Sequence, residues 1–89
     1  MPYIVQERRV ALDGAILGLA GYENVKIETT GELNYLLTLV VRKYLDTHGL
    51  KYATLNDVVG ALDGAKAEFQ RRVVAPYEDT KIKENGDVY

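Results

Sequence analysis

The chain contains no cysteine. It can therefore close no disulfide and offer no thiolate to zinc. It also contains no serine, and its single histidine is His48. A Ser–His or Cys–His nucleophilic site cannot be assembled from one such chain. His48 sits in "DTHGL", where a cation complements a helix C-terminus, and we read it as a terminal helix residue rather than a catalytic one. Long apolar runs are missing too. The stretch "YLLTLVV" falls far short of the roughly 20 residues a membrane span needs. The N-terminus lacks a basic segment followed by an apolar core, so no signal peptide is expected and the cytoplasm is the expected compartment. Strong charge of either sign is also absent. Lys and Arg number 11 against 13 Asp and Glu, a net charge of −2, which disfavours non-specific binding to nucleic acid or anionic membrane. The paired basics Arg8-Arg9 and Arg71-Arg72 read as solvated helix faces.

What remains is an ordinary globular composition, 47% hydrophobic and 27% charged over 89 residues. We expect one domain, 1–89. A domain of this size buries only roughly 60–65% of the surface its unfolded chain exposes. Its stability margin is thin, and self-association is one way to widen it.

Helical periodicity dominates. In "ETTGELNYLLTLVVRKYLDTHG", Leu33, Leu36, Leu37, Val40, Val41, Tyr44 and Leu45 form one stripe. Thr29 with Glu32 fits a capping box, and His48-Gly49 supplies a stop. These predict a helix over 30–47. In "ATLNDVVGALDGAKAEFQRRVVAP", Thr54 is the expected cap. Leu55, Val58, Val59, Leu62, Ala65, Phe69 and Val73 make the next stripe, over 55–74. Glu68 and Arg72 form an expected i,i+4 pair. Pro76 should stop or kink the regular helix. A first helix is expected over 6–20, carried by Leu12, Ala15, Ile16 and Leu19 and weakened by Gly14, Gly18 and Gly21. The connecting "YENVKIE" reads as an ordered link.

The tail, 75–89, could be a loose end, yet its charges run in helical order. Pro76 suits a first helical turn, Glu78 and Asp79 follow, Lys81 and Lys83 come later, and Asn85-Gly86 offers a left-handed cap. A short helix or a kinked continuation is expected over "PYEDTKIKENG", held by docking because its apolar content is thin, Tyr77 and Ile82. Gly60 and Gly64 lie four apart on the long helix and, with Ala67, form a small-residue strip away from the main stripe. Such a strip suits tight helix crossing, inside the protomer or across a dimer, and alternatively the close approach of a ligand.

Four segments carry a resemblance. "MPYI" at the start, "GELNY" at 31–35, "LNDVVGAL" at 55–62 and "F-x-RRVVAPYED-x-KI-x-ENGDVY" from Phe69 onward resemble a small family of proteins of about this length from bacteria, archaea and phages. The resemblance spans nearly the whole chain. It implies a compact helical protein and supplies no catalytic residue to carry over. Thr30 departs from the family's proline, and either residue suits a first helical turn.

The expected architecture is therefore all-α: three main helices, a long third one, and a tail folded back as a short helix or arm, assembled as a dimer. The expected function is a non-enzymatic module that self-associates and binds a protein partner, with no cofactor and no catalytic or metal-binding residue assigned. Candidate recognition or interface residues are Asn34, Tyr35, Leu39, Asn56, Gly60, Gly64 and Tyr77. Tyr35 and Leu39 lie off the main stripe of their helix and add apolar surface to cover. Asn34 and Asn56 each follow a leucine early in a helix, placed either to organise the helix starts or to contact a ligand. The alternative is an enzyme. "GEL" and "DVVGALD" resemble the all-α nucleotide pyrophosphohydrolases, whose facing carboxylates hold magnesium. Against it, Glu28 should precede the helix, and Asp57 and Asp63, six apart, face different ways.

Overall fold

The computed structural model describes residues 3–17 and 26–89. It is helical, with no strand among the described residues. Helix α1 spans Gln6–Leu17, α2 spans Thr30–His48, α3 spans Tyr52–Phe69, a π-helical turn occupies Gln70–Val74, and α4 spans Ala75–Asn85. The last three are joined end to end, so the fold has three helices and a long third one. The expected 18–20 end of α1, with Leu19 and Gly18, lies outside the described residues, as do Gly21 and the 22–25 part of the expected link.

The α2 start follows the capping logic closely. Thr29 is extended, at φ −128° and ψ 160°, and its side chain accepts from the Glu32 N–H at 3.1 Å. Glu32 reaches back to the N–H of Glu28 at 3.0 Å, one residue earlier than the usual box. Gly49 ends the helix at φ 87° and ψ 162°, and Gly86 ends α4 at φ 89° and ψ 151°. Both φ values are positive, but these ψ values lie beyond the left-handed helical well expected for Asn85-Gly86. Only glycine occupies that region readily.

Helix α3 starts at Tyr52, earlier than expected. Its cap is Lys51, extended at φ −154°, with no side-chain cap bond. The Leu55 N–H donates to the Lys51 carbonyl at 3.0 Å. Thr54 therefore lies inside the first turn and is 1% exposed rather than capping.

The proline at 76 does not end the rod. A proline ring inside a helix collides with the carbonyl four residues back and removes one hydrogen bond. Here the helix widens just before it. The Ala75 N–H donates to the Gln70 carbonyl, five residues back, while Gln70, Val74 and Ala75 keep right-handed helical dihedrals. The extra residue in the turn accommodates the ring. The tail therefore runs on from α3 instead of folding back. Residues 52–85 as a straight helix would measure about 51 Å, and the molecule's longest extent is 49 Å.

Packing between helices is sparse. Helix α2 meets α3, and α4 meets the π turn. No described apolar residue is buried, and Thr54 is the one buried polar residue among those described. A compact domain of this length has a radius of gyration of about 12 Å, against 16.9 Å here. A compact 9.9 kDa monomer exposes roughly 5,200 Å², against 8153 Å² here. The surplus is about 3,000 Å².

Candidate interface

The α2 and α3 stripes face each other across an open trough rather than a closed core. Leu37, Val40, Val41 and Tyr44 line one wall, and Val58, Ala61 and Leu62 with Asp57 line the other, around a cavity of about 280 Å³. One polar contact crosses it. The Tyr44 hydroxyl donates to Asp57 Oδ2 at 2.9 Å. That hydrogen bond pushes the Tyr44 pKa above its ordinary value, with smaller contributions from desolvation and from the Asp57 charge. The Tyr44 ring also lies 4.2 Å from the ring of His48, centroid to centroid, at the last turn of α2.

Beyond the trough the apolar surface continues. Leu33 and Leu36 on α2 are exposed, as are Leu55, Val59 and Phe69 on α3 and Val73 in the π turn. Singly exposed apolar residues are ordinary, whereas a run along two helices is not.

A clasp ties the N-terminal segment to the rod. The Tyr3 hydroxyl donates to Glu68 Oε2. Arg71 Nη2 donates to Glu68 Oε2 at 3.0 Å, to Oε1 at 3.3 Å and to the Tyr3 hydroxyl at 3.3 Å. The ion pair thus forms with Arg71 rather than the expected Arg72, because Arg71 reaches Glu68 and Tyr3 at once. The Tyr3 bond, then Arg71, hold the Glu68 carboxyl below its ordinary value of 4.5. A depressed folded pKa means that the ionised form favours the fold. That contribution is present above the ordinary value and is lost as pH falls through the depressed one. Tyr3→Phe is expected to move the Glu68 titration upward, read by NMR of its carboxyl carbon. Identical titrations in the two proteins would remove the clasp.

The residues singled out from sequence are spread along the fold. Tyr35 and Leu39 are exposed on α2 and Tyr77 on α4. Tyr77 carries Lys81 over its ring, 5.3 Å from the centroid. Asn34 and Asn56 are exposed, and neither side chain makes a hydrogen bond among the described residues. The Asn34 carbonyl accepts from Thr38. A Cβ built on Gly60 meets nothing within 4 Å, and the same holds for Gly14. Among the described residues no other helix crosses tightly at either position. Gly64 is half-buried.

Two of the carboxylates behind the enzyme alternative are engaged locally. Glu32 holds the Glu28 N–H, Glu28 precedes the helix, and Asp57 accepts from Tyr44. Among the described residues no three His, Asp or Glu side chains gather as a metal site, and no helix there is long and apolar enough to cross a membrane.

These features define an all-helical protein whose apolar faces are laid out along open helices. The family model described as "Domain of unknown function (DUF6899)" matches residues 1–88, so the chain belongs to that family. No curated protein and no solved structure matches it.

Proposed function

We propose that this chain is a non-enzymatic interaction module whose working unit is a homodimer, and that the assembled dimer engages a further protein. The carrying observation is the missing core: no described apolar residue is buried, and the chain exposes about 3,000 Å² more than a compact monomer of its mass. Obligate homodimers bury roughly 2,000–5,000 Å² across both partners. Covering half of the surplus on each of two copies falls in that range. A cytoplasmic location belongs to the same proposal and rests on the sequence alone.

Light scattering and thermal melting test this together. At about 100 μM the mass should be twice the 9.9 kDa of one chain. The melting temperature should fall on dilution, because association stabilises only the folded state. A single-chain mass with a melting temperature indifferent to concentration would overturn the proposal.

A further inference from the structure

We infer that the second copy lies antiparallel along α3, across a seam formed by Leu55, Val59, Leu62, Phe69 and Val73, with Lys66 of each copy reaching the partner's Asp63. The inference rests on the homodimer just proposed and specifies its interface.

The seam is read from spacing and exposure together. Leu55, Val59 and Leu62 step by four and then three, and Phe69 and Val73 resume the same alternation after Lys66. This is the heptad spacing that keeps one face toward a partner helix. All five apolar members are exposed, Val59 at 59% and Phe69 at 58%. At about 100° per residue, the centre of the seam lies roughly 90° round the helix from the face of Asp57, Val58, Ala61 and Leu62 that lines the trough with α2, and Leu62 stands at the edge the two faces share. Glu68, where the Tyr3 clasp attaches, lies roughly 140° from it. The clasp does not reach it, and α2 borders it only at Leu62, which remains 44% exposed.

Charge chooses the direction. Lys66 interrupts the seam, and Asp63 stands beside it. Neither has an ion-pair partner in the protomer among the described residues. A parallel, in-register pair would set the two Lys66 ammoniums against each other in an apolar seam, which is repulsive. The antiparallel pair layers Val59 against the partner's Phe69, Leu55 against the partner's Val73, and Lys66 against the partner's Leu62. The lysine stem then lies along leucine while its ammonium extends to the partner's Asp63. Two-fold symmetry makes that contact twice.

The chain has no cysteine, so introduced thiols report without background. Val59→Cys and Phe69→Cys chains are prepared separately and mixed, and each sample is oxidised at native concentration. The expected result is a disulfide in the mixture and none in either chain alone. Two copies of position 59 would stand about 15 Å apart along the axis, beyond the roughly 7 Å that a disulfide can bridge. Self-linking of Val59→Cys would mean a parallel pair and overturn the inference. A dimeric mass with no link in the mixture would place the interface elsewhere, leaving the homodimer standing. A single-chain mass for the unmodified protein would overturn both. As a second route that leaves the apolar seam intact, Lys66→Asp or Asp63→Lys alone should weaken association about tenfold or more. The two together should restore it. Singles without effect, or no restoration, would count against the Lys66–Asp63 contact.

Discussion

Phe69→Glu is expected to separate the assembly into single chains, weakening association by at least about 100-fold. In the protomer Phe69 is 58% exposed. A substitution at such a site in a protein that worked alone would shift stability by only about 0.5 kcal/mol. Covered by a second copy, the part of the ring still exposed contributes roughly 1–2 kcal/mol of burial. Symmetry repeats the loss on both chains, for roughly 2–4 kcal/mol per dimer. The carboxylate adds its own desolvation cost wherever it stays buried. Sedimentation equilibrium on the variant and the parent reads the difference directly. A variant with the parent's mass and melting curve would show that the α3 face is not covered.

Pro76→Ala is expected to stabilise the rod and reset its register. The π turn is the helix's response to a ring at 76 and a missing N–H. Alanine returns the N–H, and the Arg72 carbonyl four residues back becomes its natural acceptor. Proline costs about 3 kcal/mol relative to alanine inside a helix. The π turn already relieves part of that, so a gain of about 1–2 kcal/mol is expected. In a chain of this size each kcal/mol raises the melting temperature by roughly 4–8 °C. Removing the extra residue from the turn would also swing α4 by roughly 100° about the axis, carrying Tyr77 and Ile82 to another side. Melting and backbone chemical shifts across 70–76 measure both effects. Unchanged shifts and an unchanged melting temperature would mean that something other than the ring holds the turn open.

The sequence revealed those elements whose signals are local. Thr29 and Glu32 mark the α2 start because capping is written within four residues, and Gly49 marks its end because few residues accept that backbone. The start at Tyr52 was hidden because Lys51 caps with backbone alone and leaves no side-chain signature. Proline was read as a stop or a kink because it removes a hydrogen bond; that one inserted residue can absorb the loss is not visible in composition. Tyr3 with Glu68 and Arg71, and Tyr44 with Asp57, join residues whose meeting depends on how segments cross. Periodicity says nothing of that. It also merged two faces of α3 into one stripe. Val58 turns to α2, Leu55, Val59 and Phe69 turn outward, and Leu62 stands at the edge between the two faces. Only the position of a neighbouring helix separates the two sets.

The rod over residues 52–85 is built almost wholly from hydrogen bonds between near neighbours in the chain. Such a segment can coil within microseconds of synthesis, well before any copy of itself arrives. What it cannot acquire alone is shelter for its apolar side chains. For a homodimer of this kind, finishing the fold is a second-order event, and the number of copies in a cell becomes one of its terms. Newly made chains at low abundance would spend longer open to proteases and chaperones. Abundant ones would be protected by one another. Expression level would then set not only how much of the protein is made but what fraction of it survives.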